Sequence, residues 1–405
     1  MARSLPIAEY ASFGLFYALQ AGLAAFVLAG IVEVSVGLTK NSGGPKYREY
    51  VYRLANTAFF FMAMAFIALA LLVFWLFADD SSSNVSVVLA TILGGIALGY
   101  SSLQSQIVRL QERHFDSLCF NFLVPLAGWL GGGIGLLMYQ SVGSFFAGSA
   151  IGVLSGLLIL WFVGIGDYRQ ADKLGESKLI LLSLPPFLLM AGLGWLSGYG
   201  NNYLINYLLA AEDVAKFTFL LSLSAAMQLI ASSLNLVWAP HFYRIAEQLP
   251  FGQVEKKNRT VFAWLGIVMG IAAAVLVCLF SPVLSLIGGN LAMYQSMGFE
   301  LFLMSCAYIF LLPWWHCYNY FILHGKSHDL LRVSLITSLV GIAIWTMLMV
   351  ALGPLGIYLG FLAQMVIKAL GMALAARKHW AVTVAWEGVV GGCLVALVGF
   401  GISKA

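Results

Sequence analysis

The chain has 405 residues, of which 61% are hydrophobic and only 9% charged, with a mean hydropathy of +0.92. A water-soluble domain carries about 25% charged residues to keep its surface wet, so this composition excludes a soluble protein and leaves a polytopic membrane protein with a formal net charge of +4. Five cysteines, Cys119, Cys278, Cys306, Cys317 and Cys393, all lie in apolar segments without C-x-x-C or Cys/His spacing. That argues for small hydrophobic side chains and against metal or redox work.

The N-terminal M-A-R-S-L-P-I-A-E-Y does not read as a signal peptide. A spanning helix needs about 20 largely apolar residues. Runs of that length fall near 11–36, 55–77, 86–108, 117–139, 143–165, 179–208, 213–240, 259–283, 297–323, 331–352, 354–377 and 382–402. The predicted fold is therefore all-α, with about twelve transmembrane helices. Connections are short and polar, so the chemistry must occur in or beside the membrane.

Basic residues test this order, because Lys and Arg are retained on the cytoplasmic side. The loops after the odd-numbered runs hold Lys40, Lys46, Arg48 and Arg53, then Arg109 and Arg113, then Arg169, Lys173 and Lys178. Further on they hold Arg244, Lys256, Lys257 and Arg259, then Lys326 and Arg332, then Arg377 and Lys378. Seventeen of the 21 basic residues thus share one side. Arg3, Lys216 and Lys404 are opposite, which places the N-terminus outside. The loop G-D-Y-R-Q-A-D-K-L-G-E-S-K reads as a cytoplasmic linker. The expected division is a first bundle over 1–165, the linker 166–178, a second bundle over 179–380 and an extra helix over 381–405. Such bundles commonly enclose a central substrate site.

Polar residues inside the runs are the candidate sites, since their burial is costly and they tend to face a pathway. In chain order, Glu33 is a candidate for ion coupling or an interfacial charge. Arg53 and Arg244 either catch an anion at the cytoplasmic mouth or only orient the chain. Asn201, Asn202 and Asn206, with Tyr199 and Tyr203, either line a hydrated cavity or mark the outer interface, where water reaches them; their position favours the interface. Glu300 and Glu387, near the outer and inner ends of their runs, are further ion-coupling candidates. His316, among Trp314, Trp315, Tyr318 and Asn319, either contacts a sugar or packs. Lys368 stands deep within its run and either meets an anionic headgroup or snorkels toward the cytoplasmic end; Gln364, one turn away on the same face, would extend a polar stripe for a bound substrate. Pro185, Pro186, Pro240 and Pro313 should kink or break helices, and the glycines of W-L-G-G-G-I-G should permit close packing. The residues suggest no nucleic-acid, metal or cofactor site.

The segment S-L-P-P-F-L-L-M-A-G-L-G-W-L-S-G-Y-G-N-N-Y-L-I-N-Y-L-L-A-A-E-D-V-A-K-F-T-F, with L-V-W-A-P-H-F-Y-R-I after it, resembles the start of the second lobe in polysaccharide flippases of the Wzx type. These belong to the multidrug/oligosaccharidyl-lipid/polysaccharide superfamily, with the MATE exporters. Pro185, Tyr203, Leu204, Glu212, Asp213, Val214 and Pro240 match the pattern. Asn201 and Asn202 replace an Asp-Arg pair, and Phe217 replaces a Tyr. L-P-I-A-E-Y-A-S-F-G-L-F-Y-A-L resembles the family's second helix, which implies one N-terminal helix fewer. H-G-K-S-H-D-L-L-R and G-P-L-G-I-Y-L-G-F resemble late-lobe patterns.

The resemblance implies two lobes around a central cavity in the cell inner membrane, flipping undecaprenyl-pyrophosphate-linked oligosaccharide by alternating access. The pathway would be surface polysaccharide biosynthesis, such as O-antigen of lipopolysaccharide. Its implied partners are the lipid-linked oligosaccharide, membrane lipids, and polymerase and chain-length proteins, with H+ or Na+ as coupling ion and no cofactor. Three other readings stay open: a MATE-like cation or drug antiporter, a membrane enzyme of glycan assembly such as a polymerase, and an inactive or truncated member of the family. The short outer connections disfavour the enzyme.

Overall fold

The computed structural model describes residues 5–28, 31, 55–68, 83–110, 113–165 and 185–404, and no strand occurs among them. The helices are α1 (Ile7–Leu28), α2 (Ala55–Ala68), α3 (Ser83–Leu110), α4 (His114–Leu118), α5 (Val124–Tyr139) and α6 (Val142–Phe162). They continue as α7 (Pro185–Leu196), α8 (Asn201–Leu208), α9 (Ala211–Gln248), α10 (Phe251–Ile287), α11 (Gly298–Phe310) and α12 (Leu312–Leu323). Last come α13 (Ser327–Leu352), α14 (Pro354–His379) and α15 (Trp386–Ile402). A π-turn, Cys119–Leu123, joins α4 to α5.

Among the described residues, nine helical stretches are long and apolar enough to cross a membrane. Three shorter apolar helices, Ala55–Ala68, Phe187–Leu196 and Trp386–Ile402, occupy the second, sixth and twelfth expected spans. Where the sequence suggested one helix over 179–208, α7 and α8 are separated by a turn over 197–200. Expected loop residues after position 240 are instead helical. Helix α9 runs 38 residues straight through position 240, α10 runs 37, and only Leu249 and Pro250 separate them. The extensions persist because Phe242 and Phe251 pack their rings 5.0 and 5.9 Å from that of Tyr320.

Contacts divide the chain into two compact units, Ala8–Asn201 and Asn202–Ala405, the latter with Ala2–Ile7. The expected linker over 166–178 lies outside the described residues.

In the first unit α5 and α6 form a hairpin. Gln140, with φ of 49°, closes α5, and the hydroxyl of Ser141 caps α6 by accepting from Ser144 N at 3.2 Å. Glycines let the two helices touch: a Cβ built on Gly131 would collide with the carbonyl oxygen of Gly148. The indole of Trp195 on α7 donates to Ala18 O of α1 at 2.7 Å, resting over Gly22. Near the π-turn, Ser101 Oγ donates to Phe120 O at 2.6 Å.

The second unit packs α13 on α14 and α10 on α15 most closely. At its basic end Lys326 Nζ lies 2.8 Å from His379 Nδ1 and 5.6 Å from the Trp380 ring centre, while His379 Nε2 lies 3.3 Å from Asp329 Oδ2.

Candidate functional site

Two groups of buried polar side chains stand in the second unit. The first is on α14. Gln364 is fully buried, and neither its Nε2 nor its Oε1 has a hydrogen-bond partner. Its stem rests on α13, where a Cβ at Gly341 would come within 2.6 Å of Gln364 Cγ. Lys368 follows one turn later, and beyond it Gly371 abuts the Thr337 methyl, so these three positions share the face turned to α13. Lys368 is half-buried and has no ion-pair or hydrogen-bond partner among the described residues. The neighbouring hydroxyls of α13 are already committed: Ser334 Oγ and Thr337 Oγ1 donate to the carbonyls of Leu330 and Val333, both at 2.8 Å. An unpaired buried amide costs about 1–3 kcal/mol, and a cation within the membrane adds a few more. Gln364 and Lys368 therefore keep bonding capacity that an anionic or hydroxyl-bearing ligand could use.

The second group joins α9, α10 and α12. Asn319 Nδ2 donates to Asn235 Oδ1 at 2.9 Å, Trp238 Nε1 donates to Asn258 Oδ1 at 2.7 Å, and Asn258 Nδ2 donates to the His316 carbonyl at 3.4 Å. His316 is fully buried, its ring centre 5.1 Å from that of Phe262 and 6.2 Å from that of Tyr320, and neither ring nitrogen has a partner. The sequence pointed to His316 and Asn319 but not to Asn235 or Asn258. Asn258 sits in the charged run E-K-K-N-R, which reads as a loop. As helix, Val254, Asn258, Phe262 and Leu265 form one buried face while Lys256, Lys257 and Arg259 stay exposed.

The asparagine and tyrosine candidates separate. Asn201 and Asn202 are 1% and 0% exposed, so water does not reach them as their expected interfacial place implied. The turn at 197–200 sets them inward, and Asn201 Nδ2 donates to Gly198 O at 3.3 Å. Asn206 and Tyr203 face outward on α8, and Tyr199 meets the edge of Tyr17 at 5.1 Å. Arg244 is exposed near the end of α9. Glu300 lies in the first turn of α11 with a buried Oε2 that lacks a partner. Glu387 accepts from Arg259 Nε at 2.8 Å. Arg53 and Glu33 lie outside the described residues.

These observations define a multi-pass, all-helical membrane protein of two compact units, with unpaired polar groups inside the second. No protein-family model matches the chain, and no curated protein matches it. Solved structures do match. The chain is similar to the lipid II flippase MurJ in an inward closed conformation, with TM-score 0.68 and 13% identity over 96% of this chain and 85% of that one. An inward-facing multidrug resistance MATE transporter of the MOP superfamily matches with TM-score 0.58 and 14% identity, over 93% and 91%. A mutant of the Vibrio cholerae MATE transporter VcmN matches with TM-score 0.55 and 14% identity, over 92% and 88%. At these identities the likeness is one of fold, and the fold is that of MurJ and the MATE transporters.

Proposed function

We propose that the chain is a transporter that turns a lipid-linked oligosaccharide across its membrane by alternating access, in surface polysaccharide assembly. The observation that carries this reading is the fold likeness to a flippase of a lipid-linked substrate over 96% of the chain at TM-score 0.68. The unpaired Lys368 and Gln364 support it, because a pyrophosphate suits a cation and sugar hydroxyls suit an amide. Undecaprenyl pyrophosphate is the carrier expected, H+ or Na+ the coupling ion, and polymerase and chain-length proteins the pathway partners. Lys368 meets the headgroup, and Gln364 sets its orientation.

The test is translocation of a lipid-linked oligosaccharide in proteoliposomes made with the purified full chain. Inside-to-outside transfer that Lys368→Ala reduces at least tenfold is the expected result. A second reading, an ion-coupled drug antiporter, draws on the MATE likeness and on the buried Oε2 of Glu300. Ion-driven export of a cationic dye with no oligosaccharide transfer would decide for it.

A further inference from the structure

Helices α10 and α15 meet through small residues, with Gly266 and Gly270 against Gly388 and Gly392, and Ala274 against Gly399. Where backbones touch in this way, the larger side chains stand to either side and leave a groove between the helices. Two cavities lie along it. One, of 450 Å³, is lined by Lys256, Arg259, Thr260, Trp264, Ile267 and Glu387. The other, of 410 Å³, is lined by Val275, Leu279, Val395, Val398 and Ile402 beside Cys278 and small residues. The groove therefore has a charged mouth and an apolar run.

The charges at the mouth do not cancel. Arg259 Nε holds Glu387 Oε1 at 2.8 Å, which neutralises that carboxylate. Glu255, next in sequence, accepts from the backbone N–H of Thr383 at 3.0 Å, a bond to a neutral donor that offsets no charge, and it also acts on Arg259. Lys256 is exposed and has no ion-pair partner among the described residues. Counting Lys256, Lys257 and Arg259 against Glu255 and Glu387, the mouth keeps one net positive charge, which a net-anionic headgroup would offset and a zwitterionic one would not. Trp264 is 67% exposed and lies about 7.5 Å along the axis from Arg259, at the depth where an amphipathic indole sits below a phosphate. From Trp264 to Val275 the groove runs about 16 Å, close to the half-thickness of a roughly 30 Å hydrocarbon core that one leaflet's acyl chains fill.

We propose that the α10/α15 groove binds one anionic glycerophospholipid of the bilayer, its phosphate at Lys256 and Arg259 and one acyl chain past Trp264 toward Val275. The site is independent of the transport reading, and its test measures binding alone. Purified full-length protein in micelles is titrated with phosphatidylglycerol or with phosphatidylcholine of the same chains, and the retained lipid is read by native mass spectrometry. Wild type should hold one phosphatidylglycerol about fivefold more tightly than phosphatidylcholine, the preference expected for one basic residue at the membrane surface. Lys256→Gln should bring the ratio to near one, and Glu387→Gln should raise it. Lys256→Glu, on an exposed side chain that tolerates either charge, should reverse it. Inorganic phosphate at the same concentration should not displace the lipid. Equal retention of the two lipids by wild type, a preference that neither Lys256 variant moves, or displacement by phosphate alone would each overturn the proposal.

Discussion

At the scale of single residues, two buried amides of the second unit should answer the same substitution with opposite signs. Asn258 is engaged at both ends of its amide, its oxygen holding the Trp238 indole at 2.7 Å and its nitrogen the His316 carbonyl. Asn258→Leu leaves that indole N–H without its acceptor, so unfolding should become easier by about 1–3 kcal/mol. Gln364 holds nothing in return for its burial. Gln364→Leu removes two unpaired polar atoms and leaves a side chain of similar size, so the variant should unfold at the same temperature or a higher one. Under the proposed function, its transport should fall. Thermal unfolding of both variants in one detergent checks the pair, and a matched loss at both positions would mean that Gln364 has a structural partner.

Elements differ in how plainly the sequence announces them. Runs of about 20 apolar residues mark spans reliably, because backbone in hydrocarbon must bond internally and helix is the way to do it. The turn at 197–200 escaped the sequence because G-Y-G is apolar enough to sit within a span, and hydropathy does not record where the backbone bends. The helical extensions on either side of Leu249 and Pro250, Phe242 to Gln248 and Phe251 to Asn258, escaped for the opposite reason. Their exposed lysines and arginine read as loop, and the inward ring contacts of Phe242 and Phe251 that hold them helical come from a distant segment at Tyr320. Glycines are legible only as permission to pack. A Cβ on Gly388 would stand 2.5 Å from Ala263 Cα, whereas one on Gly401, in the same helix, would meet nothing within 4 Å. Gly388→Ala should therefore cost about 1–3 kcal/mol by forcing α15 from α10. Gly401→Ala should gain up to about 1 kcal/mol from helix propensity. Equal melting temperatures for the two variants would argue that α15 does not pack on α10 through its glycines.

For the whole molecule, the sequence pattern carried the fold class and the order of the spans, both of which follow from hydrophobic length. It singled out Lys368, Gln364, His316 and Asn319 but not the amide cluster around the last two, because pairing between amides is a property of helices brought together and not of any one of them. Asn235, Asn258 and Asn319 are 23 and 61 residues apart along the chain, and nothing local to any of them marks the others as neighbours. Orientation is the molecular property that the sequence does predict and that a simple measurement can test. Helix α10 has 37 residues, about 55 Å at 1.5 Å each, so it outreaches a roughly 30 Å hydrocarbon core and its two ends should lie on opposite sides. Lys256, Lys257 and Arg259 mark the first end, which the charge bias assigns to the cytoplasm. The turn Gly289–Tyr294 follows the second end and carries the exposed Ala292. A membrane-impermeant maleimide should thus label Lys257→Cys only in inverted vesicles and Ala292→Cys only in right-side-out ones. Background should be low, because the native cysteines lie in apolar segments. Labelling of both from one side would show that α10 does not cross the membrane, and exchanged sidedness would place the basic loops outside and reverse the direction of any transport.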